Sequence, residues 1–298
     1  GYVFGGGKGS DSVSATISGN VTLNIDGSDL PECSAFGGND INGTTSGTIT
    51  VNVGKNVKSK LLTVYGGGNK AGITTTTKSV NVYLYENANI TNGFNGGKAA
   101  NLLSSGTSDT TRAIYLQGGK AKNIFGGSDT SGTVTASHVY IQSGNATNVF
   151  GGNNEGGTTT TSNVFVTGGT IENVYGGGFQ AATTATNVNL TGGTITKGFG
   201  GGYGQNAAGT ANIATASITL TGSTADEIYG GSNQDGTVQT SYVTINSGIV
   251  KDVYGGNNAG GSTENTEVVV NSSAENVYGG GNNAITTGNT IVTLHNAK

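Results

Sequence analysis

Apolar and polar residues alternate in short bursts that recur along the whole chain. Each burst sets an apolar residue on either side of a variable one: Val139-Tyr140-Ile141, Val164-Phe165-Val166, Val188-Asn189-Leu190, Val243-Thr244-Ile245 and Val268-Val269-Val270. The middle residue is most often Thr or Asn, as at Thr22, Thr50, Asn81, Asn189, Thr219, Thr244 and Thr293. A period of two marks a strand with one buried face.

A second marker runs in phase with the first. Aromatic residues stand at Phe4, Phe36, Tyr65, Phe94, Phe125, Phe150, Tyr175, Phe199, Tyr229, Tyr254 and Tyr278, and all but Phe94 are followed at once by Gly-Gly. After Phe94, Asn95 intervenes. The ten intervals average roughly 27 residues, a solenoid-like period. From strand to next aromatic the distance is fixed: Val139 to Phe150, Val164 to Tyr175, Val188 to Phe199 and Val243 to Tyr254 are all 11. From aromatic to next strand it wanders, from 13 (Phe36 to Ile49) to 20 (Phe94 to Ile114). A fixed arc is held by packing on its neighbours, and a variable arc bulges into solvent.

These patterns predict an all-β chain, a single-domain parallel β-solenoid over residues 1–298. It has about eleven coils of roughly 25 residues, with loop insertions near 27–36, 98–112 and 203–213. Each coil is expected to carry an aromatic strand, a Thr-rich strand (Thr74 to Thr77, Thr158 to Thr161) and a V-x-V strand. Coils spaced ~4.8 Å apart give a rod roughly 50 Å long, and parallel crossovers favour a right-handed β-helix.

Stacked coils align equivalent residues into ladders. The aromatic ladder, including Phe125, Phe150, Tyr175, Phe199, Tyr229, Tyr254 and Tyr278, reads as a structural stack. An exposed stripe binding sugar rings is the functional alternative. Two Asn columns read as turn ladders: Asn123, Asn148, Asn173 and Asn276 (interrupted by Glu227 and Asp252) before the aromatic, and Asn39, Asn69, Asn153, Asn257 and Asn282 after the glycines. A further column, Glu172, Thr196, Asp226, Lys251 and Glu275, alternates in sign and supports register.

Composition narrows the class. There are 56 Gly but one Pro, so the chain is not collagen-like, and 10% charged residues is too few for typical disorder. A net charge of −4 points to no nucleic-acid partner and no anionic membrane. No apolar run reaches the ~18 residues of a membrane span, so no membrane insertion is expected. Cys33 is the single cysteine and has no internal partner. The opening Gly-Tyr-Val-Phe carries no signal peptide and suggests a mature or trimmed product.

Catalytic and metal chemistry find little footing. Parallel β-helices include polysaccharide-cleaving enzymes, which need paired carboxylates. Asp109, Asp129, Glu155 and Asp235 lie in variable loops of different coils, with Asp129 and Glu155 able to be neighbours. His138 and His295 sit in no metal-spacing motif and read as surface polar residues. The expectation is no enzyme, no cofactor and no metal. The alternative is a carbohydrate-binding or polysaccharide-cleaving β-helix acting through the variable loops, and ice binding is a distant one, because the Thr runs are irregular.

The chain opens in an aromatic strand (Val3, Phe4) and closes in a V-x-V strand (Val292, Leu294). Joining a C-terminus to a second N-terminus gives ten steps from Val292 to Phe4, the same as Val268 to Tyr278. Residues 1–122 hold ten basic and seven acidic residues, net +3; residues 123–298 hold three and ten, net −7. Val3, Phe4, Val292 and Leu294 are therefore the expected self-assembly interface of a head-to-tail homopolymer, or a junction within a longer array.

The strings Gly168-Gly169-Thr170-Ile171-Glu172-Asn173-Val174-Tyr175-Gly176-Gly177-Gly178 and Asn276-Val277-Tyr278-Gly279-Gly280-Gly281-Asn282 resemble repeats in large surface proteins of gut Firmicutes and related bacteria. More loosely, the chain resembles the right-handed β-helix passenger domains of adhesins. The resemblance covers nearly the whole chain. It implies an extracellular or cell-surface location and a passive structural or adhesive role, with a glycan or cell surface as possible ligand, and it carries no catalytic residue. Residues 27–36 and 98–112, with Pro31, Cys33 and Arg112, depart from the pattern and are candidates for a specialised contact.

Overall fold

The computed structural model describes residues 1–204 and 211–295. Among the described residues seventeen strands, from Tyr2–Phe4 to Thr290–Leu294, form one sheet in which each strand bonds in parallel to its equivalents in adjoining coils. The chain is a parallel β-solenoid of about eleven coils, with no helix among the described residues. The insertion expected at 203–213 falls partly outside the described residues.

From Thr133 to Tyr254 the three expected strands of a coil merge, and they separate again in the last coils, as in Ser262–Val270 and Asn276–Tyr278. Thr133–Phe150, Thr158–Tyr175, Ala182–Phe199 and Thr237–Tyr254 are each 18 residues long. Each turns a corner at one glycine with positive φ: Gly144, Gly169, Gly193 and Gly248. That backbone region is costly for any residue with a Cβ. Thr74–Thr77 is a turn rather than a strand; Thr77 is buried there and its Oγ1 donates to the Thr45 carbonyl at 2.7 Å.

The early coils correct the expected register. Leu23, Val51, Val82, Ile114 and Val139 form one column. The middle residues of the first three V-x-V strands are thus Asn24, Asn52 and Tyr83, two positions beyond Thr22, Thr50 and Asn81. The cause is an extra inward apolar column, Val21, Ile49 and Val80, which Arg112 continues. The fixed arc also fails in these coils. It divides into two strands, as in Thr48–Val53 and Ser59–Tyr65, and is fused only from Arg112–Phe125 to Thr237–Tyr254.

Aliphatic residues fill the main core, and the aromatic column forms a second one. Close backbone approach explains the first glycine after each aromatic. A Cβ on Gly176 would lie 2.3 Å from the Gly200 carbonyl oxygen, and one on Gly151 would lie 2.2 Å from that of Gly176. Small hydroxyls bind the same carbonyls: Ser137 to Gly151, Ser162 to Gly176, Thr186 to Gly200, Ser241 to Gly255 and Thr266 to Gly279, at 2.5–2.6 Å. Each satisfies an acceptor that burial would otherwise leave unpaired.

Gly176→Ala is expected to destabilise the rod by at least about 2 kcal/mol, since backbone must move to admit the methyl group. Gly19→Ala, with nothing within 4 Å of the added carbon, should stay within about 0.5 kcal/mol of the parent. Urea unfolding of both variants checks this; equal stability would refute the close-approach argument.

Candidate functional site

The aromatic ladder runs unbroken from Phe4 to Tyr278. Successive ring centroids lie 4.5–5.0 Å apart with interplanar angles of 5–13°. Phe125, Phe150, Tyr175, Phe199 and Tyr229 are buried, Tyr254 is half-buried and Tyr278 is exposed. Both faces of every interior ring are covered by neighbouring rings, so the ladder offers no stripe for stacking sugars.

The column four residues beyond each aromatic roofs the ladder. Phe179 and Tyr203 meet Phe150 and Tyr175 edge-on at 5.7 and 5.8 Å. Elsewhere the roof is polar and binds ladder hydroxyls. Tyr65 Oη donates to Asp129 Oδ2 at 2.7 Å, and Asn233 Nδ2 donates to Tyr175 Oη at 3.0 Å. Tyr229 Oη donates instead to Glu227 Oε2, in the column before the aromatic, at 2.6 Å. Burial, reinforced by the adjacent carboxylates, pushes the Tyr65 and Tyr229 phenols far above their ordinary range.

The polar ladders form by amide-to-amide bonds. Asn123 donates to Asn92, Asn148 to Asn123 and Asn173 to Asn148 at 2.9–3.1 Å. The expected column after the glycines is really two. Asn39, Asn153 and Asn257 point inward and are buried; Asn153 Nδ2 donates to the Gly132 and Gly156 carbonyls at 3.0 Å. Asn69 and Asn282 lie one position further on and bond outward to Asp40 and Asn258. In the alternating column Lys251 pairs with Asp226 at 2.5 Å. Lys197 pairs with Glu227 at 2.8 Å one column over.

Three of the four candidate acids, Asp109, Asp129 and Asp235, are occupied in shaping loops, and Glu155 lies on the coil next to Asp129, its amide donating to the Asp129 carbonyl at 2.9 Å. Asp129 also accepts from Asn154 at 2.8 Å, and Asp235 accepts from the Gly236 amide at 2.7 Å. Burial opposes ionisation of Asp109, yet hydrogen bonds from Thr111 and Ser105 outweigh it and hold its carboxyl far below the usual range. No group of three metal-binding side chains occurs among the described residues. The outward threonine pairs Thr133/Thr135 and Thr158/Thr160 give way to Asn212/Ala214 and Thr237/Gln239, so no regular threonine array forms.

Two residues differ from their expected setting. His138 is buried rather than at the surface, between Ala113 and Asn163 in its column, with Asn163 Nδ2 3.3 Å from its Nε2. Arg112 lies fully buried, its guanidinium donating to the carbonyls of Leu103, Lys78, Thr74 and Thr77 and to the Thr111 hydroxyl. It ties the 98–112 loop to the preceding coil. A second ring stack escaped the sequence reading: Tyr83, Tyr115, Tyr140 and Phe165, 4.7–5.0 Å apart and half-exposed on the V-x-V face.

At the ends, columns that are buried elsewhere lie open. Val292 and Leu294 are 43% and 56% exposed, whereas Val268 and Val270 one coil earlier are 0%. Val3 is 40% exposed. Phe4 stacks within the ladder only on Phe36, and Tyr278 only on Tyr254.

No family model, curated protein or solved structure matches this chain.

Burial depresses the His138 pKa, so the folded state holds it neutral where the unfolded chain would protonate it. Stability is expected to be full above pH ~6.5 and to fall as the pH drops through the lowered folded value. His138→Gln should flatten that slope between pH 7.5 and 5 in urea unfolding; an unchanged slope would overturn the assignment.

Proposed function

We propose that the chain is a structural and adhesive segment of an extracellular bacterial fibre or surface adhesin, whose end coils stack head to tail. The observation that carries this reading is that the exposed inward columns of the last coil match those of the first, so that a second copy or further coils of a longer array can continue the rod. Stacking one rod on another would bury Val292 and Leu294 on the next copy's Leu23 and Ile25, the partners their columns call for. Phe4 would continue the ring ladder from Tyr278 at the same spacing. The surplus of positive charge in residues 1–122 and of negative charge in residues 123–298 favours this polarity over head-to-head contact.

A heterologous contact of this kind does not close, and so gives filaments rather than dimers. The passive reading is supported by Asp109, Asp129 and Asp235, which are engaged in loop hydrogen bonds. The bacterial surface setting rests on the resemblance of the glycine-aromatic repeats.

Negative-stain electron microscopy and sedimentation at rising concentration should show rods lengthening in coil-matched units. Leu294→Asp should abolish the lengthening while leaving the unfolding transition unchanged. A monodisperse monomer at high concentration would overturn the proposal.

A further inference from the structure

The arc between each V-x-V strand and the next aromatic carries a groove along the rod. Two contiguous depressions, about 430 and 580 Å³, share Asn89 and Lys120 and run across the coils from Asp29 to Thr196. Their shared wall is a single column, in which Lys60 pairs with Asn89, Asn89 with Lys120, Lys120 with Asn145 and Asn145 with Thr170. The floor is low because Ala88, Ala121 and Ala146 occupy inward positions there.

Four exposed lysines line this groove: Lys58, Lys60, Lys120 and Lys122. None forms an ion pair. The two ion pairs among the described residues, Lys197–Glu227 and Lys251–Asp226, both lie in the other half of the chain. Three acids also line the groove: Asp29 is the register partner of Lys60, Glu86 lies on the coil between the two pairs of lysines, and Glu172 lies two coils beyond Lys122. Asn89 stands between Lys60 and Lys120, and Asn145, Thr147 and Thr170 continue the wall beyond Lys120; these amides and hydroxyls can donate to and accept from polar ligands.

We infer that this groove binds an acidic polysaccharide lying parallel to the rod axis. Lys60 and Lys120 are two coils apart, about 10 Å along the axis at strand spacing. An extended polymer with anionic groups at about that interval meets Lys60 and Lys120 with two successive charges and Asn89 between them. Lysine suits this role, as a flexible point charge that tolerates imperfect register. A single-stranded nucleic acid would call for aromatic stacking platforms, and no ring lines the groove. Four lysines against three acids leave the groove with a positive excess, which a neutral glycan would not meet. The site lies on the fixed arc rather than in the variable loops, and it does not depend on end-to-end assembly.

The test is the affinity of the full chain for a fluorescent polygalacturonate oligomer, with dextran and oligo-dT as controls. It compares the parent, Lys60→Gln/Lys120→Gln/Lys122→Gln, and Lys8→Gln/Lys70→Gln/Lys78→Gln, which removes equal charge from other faces. Polygalacturonate should bind at low ionic strength, weaken with salt, and lose about tenfold or more in the groove variant, the sum of three exposed ion pairs. The second variant should lose much less, and dextran should not bind. Equal losses in both variants, no binding at low salt, or oligo-dT binding that depends equally on the groove lysines would overturn the inference. So would lysine-dependent self-association without polygalacturonate binding, which would give the groove to the acidic half of a second copy.

Discussion

A backbone amide in this chain finds its partner one coil away, and that constraint governs nearly every other choice in the molecule. Parallel pairing at a single coil's separation brings equivalent residues to within about 4.8 Å of one another. At that distance a side chain stacks on its copy, bonds to it, or collides. Rings stack from Phe4 to Tyr278, and amides bond in series from Asn92 to Asn173. Where main chains press together, as at Gly151 and Gly176, no side chain fits at all. The high glycine content is therefore a packing requirement as much as a turn requirement. The buried serines and threonines follow from it, each bonding a glycine carbonyl turned away from water.

How much of this was legible follows from the same constraint. A repeat makes equivalent residues visible wherever the spacing is constant, so the coil count, the parallel ladder and the aromatic stack could all be read from Phe125 onward. The first three coils misled because an additional apolar column, Val21, Ile49 and Val80, mimics the V-x-V pattern two residues early. Alternation alone cannot tell two inward positions of one strand apart. Arg112 and His138 were opaque for a different reason. Their burial rests on carbonyls from Thr74, Thr77 and Lys78 and on a neighbouring Asn163, and no local signal announces such partners. The Asn column after the glycines misled by one residue: Asn39 turns inward and Asn69 outward, though both follow a Gly-rich turn.

The faces of the rod have been put to different uses. One face is consumed by the roofed ring ladder, where hydroxyls and acids are mutually engaged. The V-x-V face shows ring edges from Tyr83 to Phe165 among amides and hydroxyls. The third arc keeps its lysines free in the early coils and holds ion pairs in the later ones. Chemistry thus varies along the axis while the backbone repeats, and that lets one scaffold present distinct surfaces without any change of fold.

The tyrosine hydroxyls of the ladder change how the rod comes apart. Repeat proteins are usually described as units that feel only their immediate neighbours. Tyr65 reaches Asp129 and Tyr175 is reached by Asn233, in each case past the adjoining coil to the one beyond. Coils ending in Phe94, Phe125 or Phe150 have no hydroxyl to do this. With Tyr229 in hydrogen-bond contact with Asn282 two coils on, clasped stretches run from Tyr65 to Asp129 and from Tyr175 to Asn282, separated by the Phe150 coil, which is joined only pairwise. Under tension along the axis, the pairwise joints are where the rod would first open, giving a protein that looks uniform along its length a built-in order of yielding.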